Sequence, residues 1–427
     1  MNKQDCAQQN MEKARRHSQG KNMRSMRLRT AAIVLSVQTL VTLSHPAAAE
    51  KKYGPGVTDT EIKIGQTMPY SGPASSYGTV GKAEVAYFAK INAEGGVNGR
   101  KISLMSLDDG YSPPRTVEQV RRLVEQEEVL LIFSVLGTPT NAAVQKYLNA
   151  KKVPQLFCAS GGSEFGDPQH FPWTMGWRPN YRSEARVYAK YILKARPDAK
   201  IAVLYQNDDL GKDYLKGLHE GLGAKAGSMI VSEVSYEVTD PTVDSQIVTL
   251  NASGADTLLN FSTPKAAAQA IRKVYDLGWR PLHLVANVGS SVATVLKPAG
   301  LEKSVGLLTA AFLKDPTDKQ WQNDPSYRDW LAWMKQYYPE GDTSDFYNVY
   351  GYLLAQTLLH VLKQSGDDLT RDNIMRQAAS VKNLALPMLL PGVKVSTAPS
   401  DFYPIKQMWM QKFDGKQWVL FGDLIEP

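Results

Sequence analysis

Segments of strand-like and helix-like hydrophobic spacing alternate along the first part of the chain. Apolar and polar residues alternate in "EIKIGQTMP" (61–69), which ends at a proline and is typical of a strand. Residues 79–94 instead repeat apolar side chains at helical spacing from Val80 to Ile91 and stop at two glycines. Further strand-like runs follow in "KISLMSLDDG", "VLLIFSVLG" and "VPQLFCASGG", with helix-like runs between them. This pattern predicts a mostly parallel sheet covered by helices on both faces.

The same alternation restarts near residue 181. The helix-like run "SEARVYAKYILKA" opens the second series, and strands are predicted in "KIAVLYQND", "MIVSEVSYE", "DTLLNFSTP" and "LHLVANVGSS". Two successive series predict an α/β protein with two lobes of similar architecture. The segment "HFPWTMGWRPNY" (170–181), rich in proline and tryptophan, separates them and is predicted to be the first crossing between the lobes.

The last third of the chain is less regular. "VGLLTAAFLKDPTD" is interpreted as a strand that returns toward the first lobe. Two long helices are predicted in "WQNDPSYRDWLAWMKQYYP" and "FYNVYGYLLAQTLLHVLKQSG". Near the end, two apolar runs flank Asp414 and Gly415, a dipeptide typical of a β-hairpin.

The first 49 residues have the three parts of a secretory signal peptide. A basic region ends at Arg29, an apolar run spans Ala31–Ser44, and small residues lead to Ala49, where cleavage is expected. A start at Met23 or Met26 would give a leader of more typical length. The alternative is a short membrane anchor, which the short and partly polar run disfavours. We therefore expect a periplasmic protein, exported through the inner membrane.

Composition adds limits on the class of partner. The 427 residues are too many for one ordinary core and fit two domains. Residues 1–49 hold eight Lys or Arg against two acids, so they carry +6 of the formal charge of +7 and leave +1 for the rest. A nearly neutral body is not expected to bind nucleic acid. Only Cys158 remains after the leader, so no internal disulfide is expected, and a small buried apolar role is favoured.

The motifs of the common enzyme classes are missing from the sequence. There is no G-x-S-x-G, the histidines are scattered, no cysteine pair could hold zinc, and Gly81-Lys82 lacks the rest of a phosphate loop. We expect no catalytic residue, no metal and no cofactor. The paired acids of "LDDG" and "QNDD" could act in catalysis, so an enzyme remains an alternative. Loss of product formation on changing Asp108, Asp109, Asp208 or Asp209 would support that alternative.

The loops after the predicted strands have the composition of a ligand cleft. They include "YSGPASSYG", "LGTPTN" and "ASGGSEFG" in the first series and "QNDDLG" and "FSTP" in the second, all rich in Gly, Ser, Thr or amides. Ligands bind beyond the carboxyl ends of parallel strands, where backbone N–H groups at helix starts favour an anion. Tyr70, Tyr77 and Tyr111 would add aromatic walls. The alternative is that these are ordinary turns, which need the same residues.

Several phrases occur together in an order typical of one family. They are "SGPASSYG", "INAEGGVNGRKI", "DDGYSPPRTVEQVRRLV", "LGTPTNAAV", "VPQLFCASGGSEF" and "VLYQNDDLGKDYLKGL". The chain from about 57 to 427 thus resembles the extracytoplasmic solute-binding proteins of the branched-chain amino acid type, which serve ABC importers. The resemblance implies the type I periplasmic binding fold, in which two Rossmann-like lobes with mostly parallel central sheets are joined by three hinge crossings and close on a ligand.

The resemblance also implies where the lobes divide. The crossings are expected near 176–182, 308–313 and 391–396. Lobe one would comprise 57–179 plus 312–392, and lobe two would comprise 180–311 plus 393–427.

Candidate binding residues follow from the resemblance, one position at a time. An aromatic after "SGP" corresponds to Tyr77, and a further cleft-facing aromatic corresponds to Tyr350. The family's carboxylate-binding loops correspond to positions in "LGTPTN" and "CASGG", which are Gly137, Thr138, Ala159, Ser160 and Gly161.

Two departures from the family bear on the ligand. Amino-acid binders hold the ammonium with an acid after a late strand of lobe two, where this chain has Asn287 in "VANVGSS". An ammonium buried without a carboxylate is costly. Leu210 also stands where the family usually has an aromatic. These departures favour an aromatic or aliphatic carboxylate, or an amide, although Asp208 or Asp209 could still reach an ammonium, which keeps an amino acid as an alternative.

The resemblance therefore implies the substrate-binding component of an ABC importer. The expected partners are a small carboxylate-bearing solute or amino acid and the permease and ATPase subunits, and the protein is expected to be a monomer. The alternative within the same fold is a ligand-sensing module that signals to a membrane partner.

Overall fold

The computed structural model describes residues 51–426. The strands are β1 Lys52–Tyr53, β2 Glu61–Met68, β3 Lys101–Asp108, β4 Leu131–Phe133, β5 Gln155–Cys158, β6 Thr174–Gly176, β7 Ile201–Gln206, β8 Ile230–Tyr236, β9 Thr257–Phe261, β10 Leu282–Val285, β11 Leu308–Ala311, β12 Asp368–Leu369, β13 Met408–Phe413 and β14 Trp418–Ile425. The α-helices are α1 Gly78–Ala93, α2 Pro113–Glu125, α3 Thr138–Ala150, α4 Tyr181–Ala195, α5 Asp209–Leu222, α6 Ala226–Met229, α7 Asp244–Ala252, α8 Pro264–Asp276, α9 Lys297–Ala299, α10 Pro325–Tyr337, α11 Phe346–Ser365 and α12 Arg371–Ala378.

Two sheets form the centres of the two lobes. The sheet of lobe one has the order β3-β2-β4-β5-β6, and all its pairs are parallel. The sheet of lobe two has the order β14-β13-β11-β10-β9-β7-β8, in which only the β11–β13 and β13–β14 pairs are antiparallel. The predicted fold class, two α/β lobes with mostly parallel sheets, is therefore confirmed. The residue boundaries of the lobes remain predictions.

The C-terminal hairpin forms where the sequence predicts it. β13 pairs with β14 in antiparallel register. The carboxylate of Asp414 closes the turn by accepting bonds from the backbone N–H groups of Lys416 and Gln417, at 2.8 and 2.9 Å, and Gly415 has a φ of +102°. Hairpin turns commonly combine a glycine at positive φ with an Asp or Asn side chain that accepts hydrogen bonds from the backbone N–H groups of the turn.

Two segments differ from the prediction. The segment 170–181 is not only a crossing, because it contains β6, the edge strand of lobe one. The strand in "VGLLTAAFLK" is β11, and it lies inside the sheet of lobe two between β10 and β13 rather than returning to lobe one. The chain after β11 leads back toward lobe one, where α11 packs closely on α1. The contact is so close that a Cβ on Gly351 of α11 would lie 2.5 Å from the carbonyl oxygen of Val80 on α1.

Helices α4 and α5 approach each other closely in lobe two. Gly217 on α5 lies against the backbone of Arg182 on α4, and a Cβ at position 217 would stand 2.3 Å from the Arg182 carbonyl oxygen. No ordinary Cβ contact is that short, so the packing of these two helices requires glycine at this position.

The lone cysteine of the described chain is buried in lobe one. Cys158 ends β5 with no exposed surface, and burial raises the pKa of its thiol. Its predicted role as a small buried apolar residue is confirmed. Residues 1–49, predicted to be a signal peptide, lie outside the described residues. Across 51–426, no helix combines the length and apolar character needed to cross a membrane.

A chain of half-buried and buried polar groups runs through lobe one. Tyr70 Oη is 2.6 Å from Ser106 Oγ, and Ser106 Oγ donates to Gln66 Oε1 at 2.7 Å. Gln66 Nε2 donates in turn to the carboxylate of Glu84 on α1. Glu84 has no exposed surface, and its Oε1 has no partner. Burial raises the pKa of this carboxyl to about 8.

This carboxyl makes the free energy of unfolding depend on pH. Because its pKa rises from 4.5 in the unfolded chain to about 8 in the folded protein, the folded state binds more protons between these values. The unfolding free energy should therefore fall as pH rises through this window. We expect Glu84→Gln to flatten that fall by a few kcal/mol, measured by urea unfolding at about pH 5 and about pH 8. Glu118→Gln, an exposed change on α2, is the matched control. Parallel curves for Glu84→Gln and the unchanged protein would contradict this account.

Candidate functional site

A cavity lies between the two lobes, with walls of aromatic and aliphatic side chains. Its non-atom space is about 440 Å³ when open solvent at its mouth is included, and the centre of a water-sized sphere can reach about 30 Å³ of it. Its lining consists of aliphatic and aromatic side chains with one guanidinium and one amide: Tyr77, Val80, Tyr111, Leu136, Gly137, Ala159, Arg178, Tyr181, Leu210, Asn287, Val288, Phe346, Tyr347 and Tyr350.

The parallel sheets explain why these residues meet. In lobe one, Gly137 follows β4, Ala159 follows β5, and Tyr77 ends the 3₁₀ turn that follows β2. In lobe two, Leu210 lies in the first turn of α5 after β7, and Asn287 follows β10. All five stand beyond the carboxyl ends of strands, where parallel sheets place their ligands.

Two tyrosines close the cavity across the cleft. Tyr77 Oη donates to the backbone oxygen of Val288 at 2.9 Å, and Tyr347 Oη donates to the same oxygen at 2.6 Å. The two rings meet edge to face with centroids 5.1 Å apart. Burial raises the pKa of both phenols. The lobe-one residue Tyr77 thus bonds directly to lobe two, as in a closed arrangement of the lobes.

Two further contacts join the lobes beside the cavity, and each pairs a serine with an aspartate. Asp213 on α5 accepts from the N–H of Ser163 at 2.6 Å and from its hydroxyl at 2.8 Å. Asp345, which caps α11, accepts from the hydroxyl of Ser291 at 2.9 Å. Burial raises the pKa of both carboxyls, that of Asp345 to about 7.

The cation of the cavity is Arg178, which lies in the first crossing. Its Nη2 donates to Glu184 Oε2 at 3.0 Å and to Asn287 Oδ1 at 3.3 Å. The guanidinium carbon is 5.3 Å from the ring centroid of Tyr181 and 5.7 Å from that of Phe312. Burial opposes the charge, but the carboxylate of Glu184 outweighs this effect and the pKa of Arg178 lies above its usual value. Arg178 is therefore charged.

The predicted site residues divide into two groups. Tyr77, Gly137, Ala159 and Tyr350 line the cavity. Thr138, Ser160 and Gly161 lie behind the wall: the hydroxyls of Thr138 and Ser160 are 2.8 Å apart and bond to each other, and Gly161 packs on the ring of Tyr181.

Gly137 shapes this wall through its backbone. Its φ is +105°, and a Cβ here would lie 2.5 Å from the ring of Tyr111. Both facts require glycine at this position. Tyr111 also lines the cavity, whereas Tyr70, the third predicted aromatic, does not because its hydroxyl faces Ser106.

Asp208 lies at the start of α5 and is not among the lining residues. Its carboxylate caps the helix by accepting from the N–H groups of Leu210 and Gly211, at 3.0 and 3.3 Å. Burial raises the pKa of this carboxyl. The described part of the chain contains no group of three or more His, Cys, Asp or Glu side chains placed to hold a metal ion.

The sequence analysis missed Arg178, Tyr181, Phe346 and Tyr347. Arg178 and Tyr181 stand in "GWRPNY", which was interpreted only as part of the first crossing between the lobes. The signal that could have identified Arg178 is its spacing from Glu184, six residues further along the chain. Phe346 and Tyr347 open α11 directly after the capping Asp345, and helix starts at a cleft are common ligand contacts.

A model of the periplasmic binding protein family matches residues 61–417. Among curated proteins, a Leu/Ile/Val-binding protein homologue of Brucella suis is 26% identical over 351 residues, which cover 78% of this chain and 82% of the relative. An amino acid binding protein of Pseudomonas aeruginosa is 23% identical over 347 residues, covering 79% of this chain and 85% of the relative.

Solved structures show the same fold. A branched-chain amino acid ABC transporter protein from Thermus thermophilus with bound valine superposes with a TM-score of 0.78 at 16% identity, covering 87% of this chain and 98% of that one. A fatty acid ABC transporter substrate-binding protein from Thermomonospora curvata gives 0.74 at 21% identity, covering 88% and 95%. The resemblance inferred from the motifs is thus confirmed, and the chain belongs to the periplasmic binding protein family, with relatives of the Leu/Ile/Val-binding type.

Proposed function

We propose that the protein captures a small carboxylate-bearing solute between its lobes and delivers it to an ABC importer. The solute is an organic acid or an amino acid, with an amide as the alternative to a carboxylate, and capture occurs in the periplasm. The importer's permease and ATPase subunits are the expected partners. The protein binds its solute without transforming it.

One observation carries this proposal: an aromatic cavity enclosed by both lobes, with Tyr77 bonded across the cleft to Val288. A ligand held by both lobes stabilises the closed arrangement, because only that arrangement offers all its contacts. The family relatives named above are binding proteins, which is consistent with capture rather than catalysis.

The experiment is identification of a co-purified ligand. The protein is isolated from its native periplasm without refolding, then denatured, and the released small molecules are identified by mass spectrometry. Isothermal titration with the identified compound should give one site per chain and no product. A hundredfold excess over Kd should add about 2.7 kcal/mol to the unfolding free energy. Consumption of the compound, or no binding, would contradict the proposal.

The serine–aspartate contact beside the cavity should contribute to ligand affinity. Asp213→Ala removes two hydrogen bonds that join Ser163 to lobe two. Each net hydrogen bond is worth about 1 kcal/mol, so we expect ligand affinity to fall about five- to thirtyfold in titration calorimetry. Asp198→Ala changes the same charge at an exposed site before β7 and should have no effect. Equal affinities for the two variants would show that the contact does not support closure.

A further inference from the structure

A single cation faces a cavity whose other lining side chains are uncharged. Among the described lining residues, only Arg178 carries a full charge, and 6% of its surface is exposed. Both of its hydrogen bonds leave from Nη2, while Nε is buried without an acceptor. A buried donor without a partner is costly. The guanidinium therefore has unused capacity for an anionic acceptor.

The neighbouring carboxylate of Glu184 does not use up this capacity. Besides Arg178, it accepts from the hydroxyl of Tyr188 at 2.7 Å and from the N–H of Asn287 at 2.8 Å. It also lies in the first turn of α4, where the helix dipole favours a negative charge. Glu184 thus accepts from three residues and engages the guanidinium of Arg178 only through Nη2, so it leaves Nε without a partner.

A second unused donor lines the same cavity. Tyr350 is buried, and its hydroxyl has no partner. Arg178 and Tyr350 line the same cavity and both lie against Phe312: the guanidinium carbon is 5.7 Å and the Tyr350 ring centroid 6.5 Å from the centroid of its ring. A cationic donor and a neutral hydroxyl together match the two oxygens of one carboxylate.

No lining group is suited to an ammonium. Asn287, at the position of the family's acid, donates through Nδ2 to the Ala310 carbonyl at 2.9 Å and accepts from Arg178. No carboxylate is among the lining residues of the described chain. Aromatic faces can attract a cation, but Arg178 already lies over Tyr181 and Phe312 and would repel a second one.

We infer that the ligand is a small organic acid without an α-ammonium group, and that Arg178 and Tyr350 receive its carboxylate. The apolar body of the acid lies among the rings of Tyr77, Tyr111 and Phe346. This inference rests on the proposed function and narrows it, since an amide and an amino acid no longer fit. It also places the anion at the crossing between the lobes rather than at the hydroxyls of Thr138 and Ser160, which bond to each other.

Two matched series of compounds test the inference by titration calorimetry. The first is 3-phenylpropanoate, 3-phenylpropanamide and phenylalanine; the second is 4-methylpentanoate, 4-methylpentanamide and leucine. The unchanged protein should bind the acid of at least one series at least about tenfold more tightly than its amide and its amino acid. Preference for the amide or the amino acid would overturn the inference and leave solute capture intact. Failure of all six to bind, together with a co-purified ligand that is not an organic acid, would overturn the inference, whereas solute capture is decided by whether the co-purified ligand binds without being consumed.

Variants then assign the preference to Arg178. Glu184→Gln keeps the cation and is expected to bind the acid at least as tightly as the unchanged protein. Adding Arg178→Met to Glu184→Gln should abolish the preference for the acid over the amide without leaving a buried carboxylate unpaired. Arg182→Met removes a more exposed guanidinium bonded to Glu220 and serves as the control. An undiminished preference in the double variant would overturn the role of Arg178. If the double variant does not fold, Tyr350→Phe tests the carboxylate site instead. It is expected to reduce the preference for the acid over the amide, and an unchanged preference would overturn the site.

Discussion

Tyr77→Ala is expected to weaken ligand binding about ten- to a hundredfold while the protein stays folded. The change removes a ring from the cavity wall, its edge contact with Tyr347, and the hydrogen bond to Val288 across the cleft. The hydrogen bond to Val288 stabilises the closed arrangement, and the ring with its Tyr347 contact forms the lobe-one wall, whereas lobe one keeps its sheet without them. Titration calorimetry gives the affinity, and thermal unfolding without ligand verifies the fold.

Tyr77→Phe separates the ring from the hydroxyl. The Val288 oxygen would still accept from Tyr347, so losing the phenol oxygen alone should cost only a few-fold in affinity. Tyr275→Ala, a change at an exposed tyrosine on α8, should leave binding unchanged. Full affinity in Tyr77→Ala would mean that the loop "YSGPASSYG" is only a turn.

Gly217→Val is expected to lower the free energy of unfolding by about 1–3 kcal/mol. The new side chain would meet the backbone of Arg182, whose carbonyl oxygen lies 2.3 Å from the Cβ position. Backbone atoms cannot rotate away as a side-chain end can, so helices α4 and α5 must separate and lose packing in lobe two. Urea unfolding followed by circular dichroism measures the loss.

Gly227→Val is the matched control for this change. It places the same side chain on α6, where a Cβ has no heavy atom within 4 Å. Its effect should therefore be limited to the small difference in helix propensity. A similar loss of stability in both variants would show that the helix contact at Gly217 is not the cause.

The fold could be predicted where hydrophobic spacing alone determines the element. β2 and α1 form where the spacing of apolar residues predicts a strand and a helix. The C-terminal hairpin forms where Asp414 and Gly415 predict a turn. β6 could not be predicted in this way, because Thr174–Gly176 has no alternation and becomes a strand by pairing with β5. The interpretation of β11 as a strand returning toward lobe one was wrong for a similar reason, since strand order depends on pairing between distant segments. The predicted bounds of lobe two, 180–311, do include this strand.

The location of the candidate site could be predicted from the sequence more readily than the side chains that line it. Gly137 and Ala159 were identified through the family resemblance, and both stand at strand ends, where the cleft was expected. Thr138 and Ser160 have suitable hydroxyls, but these bond to each other, which only the packing determines. Arg178 was missed because its exposure to the cavity depends on Glu184 and on rings from separate segments.

The burial of Cys158 has a practical consequence for following lobe movement in solution. A chain expressed from residue 50 onward carries this one thiol, which is inaccessible and has a raised pKa, so dyes that react with thiolates should leave it unmodified. Surface cysteines introduced at Asp198 and Glu118 could therefore carry a donor and an acceptor fluorophore without removing the native thiol. Energy transfer between them would report ligand-driven closure one molecule at a time, and the protein would serve as an optical sensor for its own solute.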